Sequence, residues 1–92
     1  MLKTIDATGV VHKSPTSKVV RKKLDAGQSM PPHNHPGEDV LIQVTSGALK
    51  ILLDDQPFEV QAGDLVQFDG DLMVTLEATL DQTVFVVFVV KR

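Results

Sequence analysis

Apolar residues in this chain fall in short runs that are separated by polar or turn-forming residues. The runs recur about every eight to twelve residues, and no window shows the i, i+3, i+4, i+7 repeat of an amphipathic helix. They read SKVVRKKL, DVLIQVT, ALKILL, FEVQA, GDLVQF, MVTLEATL and QTVFVVFVV. Short strands with turn signals between them are typical of all-β proteins, so the pattern predicts a small antiparallel β-barrel or a two-sheet sandwich.

The same pattern predicts one turn and part of the core. Residues 54–57 (DDQP) separate two of the predicted strands, and their composition indicates a turn that is built from all four residues. Large apolar residues of the later strands are the core candidates: Phe58, Phe68, Met73, Val74 and Phe85.

The last run is apolar at every position from Val84 to Val90. An outer strand of a sandwich normally has one polar face, so both faces of this strand need a cover. Either another layer of the chain or a second subunit provides it. Burying a side chain of this size stabilises by roughly 1.5–3 kcal/mol, which makes exposure of alternate residues costly. We therefore expect a homodimer.

Composition narrows the classes of protein that fit. The chain has 92 residues, 42% of them hydrophobic and 23% charged, which suits one folded domain over residues 1–92. A net charge of −3 without Trp or Tyr argues against a nucleic-acid partner. No apolar run approaches the roughly 20 residues of a membrane span. The lack of cysteine excludes disulfide and thiolate chemistry and fits a cytoplasmic location.

Basic residues cluster in one predicted strand, and we interpret them as a strand edge that is protected by charge. The alternative, a phosphate-binding patch, has less support in so acidic a chain. The cluster comprises Lys18, Arg21, Lys22 and Lys23.

The segment MPPHNHPGED, residues 30–39, carries the candidate chemistry. Its two prolines favour extended backbone, and side chains at i and i+2 of a strand share a face. His33 and His35 are therefore expected to converge on one ion. If the next strand pairs alongside, Glu38 or Asp39 returns to the same cavity. Two histidines and a carboxylate form the facial set that binds iron or a similar divalent metal.

The spacing around this segment resembles the first motif of the cupin superfamily. Gly27, His33, His35, Asp39 and Gly47 stand in a close match to Gly-x5-His-x-His, an acid and a later glycine, over residues 27–47. Residues 63–78, within AGDLVQFDGDLMVTLEATLDQ, are similar to the second motif. The resemblance is to small single-domain bacterial cupins, and it implies a jelly-roll sandwich with a ligand or metal site inside.

The second motif departs from the family pattern where the family has its third histidine. Counting from Gly63, that position holds Val74, and the motif proline, glycine and asparagine fall on Asp69, Asp71 and Ala78. The acid of the first motif stays open, because counting forward from His35 gives Asp39, whereas counting back from Gly47 gives Val40, and the acids nearby are Glu38 and Asp39. The resemblance thus implies metal ligands His33, His35 and Asp39 or Glu38. Ligand-binding candidates are Gln43, in phase with Asp39, together with Gln67 and Val74.

Two functions fit these residues. The first is a non-catalytic cupin that binds a small molecule, with or without one divalent transition metal (Fe, Mn, Ni or Zn). The alternative is a metal-dependent cupin enzyme of the oxygenase, isomerase or decarboxylase type. Valine at position 74 favours binding over catalysis, because an enzyme of the ordinary kind keeps histidine there. The expected partners are a small molecule and a second copy of the chain, without nucleic acid or membrane.

Overall fold

The computed structural model describes all 92 residues and confirms the all-β prediction. It contains nine strands: β1 (Gly9–Lys13), β2 (Ser17–Leu24), β3 (Ser29–His33), β4 (Glu38–Ser46), β5 (Ala48–Leu53), β6 (Gln56–Gln61), β7 (Leu65–Asp69), β8 (Val74–Ala78) and β9 (Thr83–Lys91). None of its elements is a helix of the length and apolarity that a bilayer span requires.

The strands form two antiparallel sheets. A five-stranded sheet has the order β1-β2-β9-β4-β7, and a four-stranded sheet has the order β3-β8-β5-β6. The sheets do not close into a barrel, and their arrangement is that of a jelly-roll sandwich. Most neighbours in space are distant in sequence, because β9 lies between β2 and β4.

Alternation along the two central strands of the larger sheet supplies much of the core. In β9, Phe85, Val87 and Val89 face inward and are buried. In β4, every second residue from Val40 to Val44 is buried in the same way. Twelve buried residues form one cluster between the sheets: Val40, Ile42, Val44, Leu49, Ile51, Val60, Phe68, Val74, Leu76, Phe85, Val87 and Val89. Phe68, Val74 and Phe85 are thus core residues as predicted, whereas Phe58 and Met73 are each 44% exposed.

The other face of β9 has no layer of the chain over it. Val19, Phe88 and Leu41 pair in one row across β2, β9 and β4, on the face opposite the core. Together with Val86 and Val90 of β9 they form what we call the outer patch, whose members are partly buried by their own neighbours, except that Val90 is 40% exposed. The chain therefore covers one face of the apolar strand and leaves the other on the outside.

The turn between β5 and β6 is shorter than predicted. Asp54 and Asp55 alone make it, with φ of 48° and 70°, which is the left-handed pair of a two-residue hairpin. Gln56 and Pro57 already belong to β6, where Pro57 pairs with Leu52. Proline is tolerated there because β6 is an edge strand. The four-residue turn was wrong because two left-handed residues reverse the chain by themselves.

Gly47 joins β4 to β5 with a φ of 78°, and we expect its replacement by alanine to destabilise the fold strongly. A Cβ at this position would lie 2.7 Å from the Cα of Thr83, which is fully buried. Left-handed strain and overpacking together should cost about 2–5 kcal/mol. The measurement is the free energy of unfolding in urea.

Gly27 is the matched control for that substitution. Its φ is 86°, but a Cβ there would meet nothing within 4 Å, so Gly27→Ala carries the backbone strain without the clash. It should cost about 1–3 kcal/mol, and less than Gly47→Ala. Equal losses in the two variants would contradict the close packing of Gly47 on Thr83.

Candidate functional site

A cavity of about 370 Å³ lies between the sheets, beside β3. Ten of its fourteen lining residues are hydrophobic. The lining consists of Val10, Lys18, Val20, Met30, Pro31, His33, His35, Val40, Ile42, Phe68, Val74, Leu76, Val87 and Val89. Three residues of this set carry polar side chains, namely Lys18, His33 and His35, and the two histidines are those that the sequence singled out.

The two histidines meet in the cavity, although one strand does not carry both. His33 is the last residue of β3, whereas His35 lies in the loop 34–37 that follows it. Their ring centroids are 5.1 Å apart and the ring planes are at 89°, an edge-to-face contact. The prediction of a common strand was wrong for His35. The prediction that the two rings lie together is confirmed.

Hydrogen bonds fix the orientation of both residues. His33 Nδ1 lies 3.0 Å from the carbonyl oxygen of Pro31, which can only accept, so Nδ1–H is the donor. In the neutral ring the lone pair is then on Nε2. The backbone N–H of His35 donates to the carbonyl oxygen of Gly70 at 2.7 Å. The loop that bears His35 is therefore attached to the loop between β7 and β8.

Burial holds the pKa of His35 below its ordinary value. The positive charges of His33 and Lys18 lower that pKa further, and the negative charge of Glu38 opposes them. The Nδ1 of His35 and the Oε1 of Glu38 are 4.0 Å apart. His35 is consequently a neutral imidazole at neutral pH, which can donate a hydrogen bond to a ligand or accept one from it.

The two acids beside the histidines lie on opposite faces of β4. Glu38 is in phase with the inward residues Val40 and Ile42, and it is the acid next to His35. Asp39 faces outward, where its Oδ1 lies 3.0 Å from Arg92. The structure therefore brings Glu38, and not Asp39, to the side of the histidine pair.

Arg92 gathers three carboxylates at the end of the larger sheet. Its guanidinium also contacts Asp69 at 2.8 Å and Asp71 at 3.2 Å. A hydrogen bond from the Asp71 backbone N–H, followed by the bond from Arg92, holds the pKa of Asp69 below its usual range. Asp71 in turn accepts the backbone N–H of Gly37 at 2.9 Å. These contacts brace the loop 34–37 against residues 69–71.

Gly70 completes this brace because only a residue without a side chain fits there. A Cβ on Gly70 would collide with the backbone oxygens of His35 and Glu38. Its own N–H donates to the Glu38 carbonyl at 2.8 Å. The close approach of the two loops fixes where His35 projects.

The three residues predicted to bind a ligand do not lie together in the structure. Val74 is 2% exposed, lines the cavity and is paired directly with His33. Gln43 lies on the outer face of β4, and its Nε2 donates to the Asp64 carbonyl at 3.2 Å. Gln67 is exposed and is paired with Leu41 of the same outer face. Val74 is thus the one of the three that the structure brings to the histidines.

Sequence reasoning missed Lys18 as a residue of the cavity. The sequence groups Lys18 with the basic residues of a strand edge, whereas in the structure it is paired with buried Val89 and faces inward. The run SKVVRKKL has polar and apolar residues on both faces, and its phase is therefore ambiguous without the partner strand.

The model of the cupin domain family matches residues 20–90 of the chain. The chain belongs to the cupin family. No curated protein matches its sequence.

Several solved structures have the same fold as this cupin, although their sequence identity to it is low. KdgF from Halomonas sp. is 23% identical with a TM-score of 0.79, covering 90% of this chain and 76% of that one. An RmlC-like cupin protein from Desulfovibrio desulfuricans is 20% identical with a TM-score of 0.84, covering 98% and 97%. The cupin domain of an XRE family transcriptional regulator from Enterobacter cloacae is 16% identical with a TM-score of 0.75, covering 84% and 83%.

The donor set of this cupin does not fit a resident metal ion that needs three protein ligands. No group of three or more His, Cys, Asp or Glu side chains is placed to hold a metal. Catalytic metal sites usually have three protein ligands, and here the place of a third imidazole is taken by Val74. Glu38 approaches His35 at Nδ1 and does not reach a common point with both rings.

We expect Val74→His to create the missing donor. Val74 and His33 are directly paired across β8 and β3, and Cβ atoms of such pairs lie roughly 4.5–5.5 Å apart. A third imidazole should therefore increase the affinity for Ni²⁺ by about tenfold or more. A tenfold increase corresponds to about 1.4 kcal/mol of binding free energy. The measurement is calorimetric titration of untagged protein.

Thr75→His is the matched control, since residue 75 alternates with Val74 and Leu76 and faces the other side of β8. It should leave Ni²⁺ affinity unchanged. In the double variant His33→Ala, Val74→His the gain should disappear. A gain that survives the loss of His33 would mean that the new imidazole does not act together with the histidine pair.

Proposed function

We propose that this cupin binds a small, mostly apolar molecule between its sheets, with the polar group of that molecule at the histidine end. One observation carries the proposal: ten of the fourteen residues around the cavity are hydrophobic, while Lys18, His33 and His35 supply its polar side chains. Ligand pockets typically combine an apolar lining with a few polar groups that fix orientation.

The energetics of the cavity favour an apolar occupant. Water is held well inside a protein where it finds two to four polar partners, and the walls built from β4, β8 and β9 offer none from their side chains. Each Å² of apolar surface that a ligand removes from water contributes roughly 25 cal/mol. A volume of about 370 Å³ is at the small end of ligand pockets, which suits a compact molecule.

The polar end supports hydrogen bonding without a metal ion. The neutral imidazole of His35 can donate or accept one hydrogen bond, and the Nε2 lone pair of His33 can accept another. The brace from Arg92 and Gly70 holds the loop that carries His35, so little order has to be gained when a ligand binds.

The metal-dependent enzyme is the second candidate and has less support. The edge-to-face pair of His33 and His35 favours it, because two imidazoles are the start of a metal site. The third donor is lacking, since Val74 is apolar and Asp39 pairs with Arg92. Binding without chemistry does not require this third donor. The composition without cysteine is compatible with the cytoplasm, which stays the predicted location.

We expect Val20→Phe to abolish ligand binding by filling the cavity. Val20 lies on β2, lines the cavity and is partly buried, so a larger ring there enters the space that a ligand would occupy. The probe is 1-hexanol, an apolar chain with a single hydroxyl, and the measurement is ligand-observed NMR. Affinity should fall by at least about tenfold.

Val19→Phe provides the control, because Val19 is the neighbour of Val20 but belongs to the outer patch, on the face of β2 away from the cavity. This variant should bind 1-hexanol as the wild type does. Urea denaturation of both variants separates a filled cavity from an unfolded chain. Unchanged binding by a folded Val20→Phe protein would count against the cavity as the ligand site.

We also propose that the outer patch is the interface of a homodimer with a second copy of this chain. Arg21 and Lys23 lie beside Val86 and Val84, toward one end of β9, and Asp39 and Asp69 lie in the row of Val90, toward the other end. A two-fold axis that reverses the strand direction brings the basic end of one copy to the acidic end of the other. A second copy would therefore bury the apolar surface and pair the charges around it with charges of opposite sign.

Light scattering at micromolar concentration should give about twice the chain mass of 10.0 kDa. Phe88→Lys, at the centre of the outer patch, should give the monomer, because a desolvated ammonium would have no partner in the interface. Leu80→Lys is the control, since Leu80 is 54% exposed and lies outside the patch. A wild-type chain that is monomeric at this concentration would overturn the interface.

A further inference from the structure

The cavity is lined by one side chain with an ammonium group, that of Lys18. Lys18 lies on β2 opposite buried Val89 and lines the same space as His33 and His35. It is the only lysine, arginine or carboxylate residue in the lining. Its positive charge is also one of the causes that lower the pKa of His35, which lines the same cavity.

Lys18 has no anionic partner within the chain. The ion pairs of the structure join Arg92 to its three aspartates, and the nearest carboxylate to His35 is that of Glu38; Lys18 takes part in none of these contacts. Its ammonium makes no side-chain hydrogen bond either. A partly buried ammonium that lines an apolar cavity is unfavourable unless a counter-charge compensates it.

A second lysine adds to this uncompensated charge. Lys13 of β1 is paired directly with Lys18 of β2. Like charges that oppose each other across two strands destabilise the pair. Both positions would gain from an anion at this end of the cavity.

We propose that the cavity recognises a monocarboxylate, whose apolar body lies along the hydrophobic walls and whose carboxylate binds the ammonium of Lys18. The inference rests on the proposed function, since it names the polar group of the ligand in that same cavity. The imidazole of His35 donates a second hydrogen bond to the carboxylate.

The charge of the site matches a single negative charge better than a phosphate. One ammonium faces the cavity, and Glu38 beside His35 adds negative charge at the same end. Phosphate sites generally collect arginine forks, several backbone N–H groups or a metal ion, and the lining holds no arginine. A carboxylate needs one cation and one or two donors, which Lys18 and His35 supply.

Three ligands with the same six-carbon chain isolate the contribution of the head group: hexanoate, 1-hexanol and hexylamine. Calorimetric titration at neutral pH compares their affinities for the full-length protein. Hexanoate should bind at least about tenfold more tightly than 1-hexanol, since a hydrogen bond to a charged group is stronger than a neutral one. Hexylamine should bind most weakly because Lys18 repels it.

Lys18→Met keeps an unbranched apolar side chain and removes the charge. It should bring hexanoate down to the affinity of 1-hexanol and leave 1-hexanol unchanged. Lys18→Arg should retain most of the preference for hexanoate. Lys23→Met is the matched control, because residue 23 lies on the outward face of the same strand and should change neither ligand.

The outcomes separate this inference from the proposed function. Equal binding of hexanoate and 1-hexanol by the wild type would overturn the carboxylate preference and leave the apolar cavity standing. Failure of all three ligands to bind would overturn both. A preference for hexanoate that persists in Lys18→Met would remove Lys18 as its cause. The comparison within the wild type decides the head group even if a variant does not fold.

Discussion

The register of β9 between β2 and β4 is the constraint on which the rest of the molecule depends. β9 pairs with β2 from Thr83 to Val90 without interruption, and with β4 along almost its full length. A slip of one residue would turn Phe85, Val87 and Val89 outward and put the opposite set into the core. Because Val87 and Val89 of this inward set also line the cavity, the register sets both the stability of the fold and the lining of the site.

Strand positions could be predicted from the sequence, and the phase of several strands could not. The seven runs of apolar residues predicted seven of the strands with nearly the correct bounds. The motif spacing also predicted that position 74 lies near His33. The phase of β4 was lost because a loop separates His35 from Glu38, so counting along the chain from one histidine to the acid does not follow a continuous strand. For this reason Asp39 and Gln43 were expected in the cavity and lie on the outer face.

Electrostatics distinguish this cavity from a site that is made for a metal ion. Two imidazoles without a third donor bind a cation weakly, and an ammonium in the same space opposes one by direct repulsion. The positive charge of the cavity is thus carried by a side chain of the protein, that of Lys18. The charge of this cavity therefore does not depend on a bound metal ion.

The prolines of the smaller sheet have a consequence for how this molecule meets others in a crowded solution. β3 and β6 are the two edge strands of the four-stranded sheet, and each contains proline: Pro31 and Pro32 in β3, and Pro57 in β6. Proline has no N–H to offer to an incoming strand, so both edges resist the backbone pairing that leads to aggregation by strand addition. Growth by addition of strands is thereby disfavoured along both edges of the smaller sheet, which leaves β1 and β7 of the larger sheet as the edges without proline.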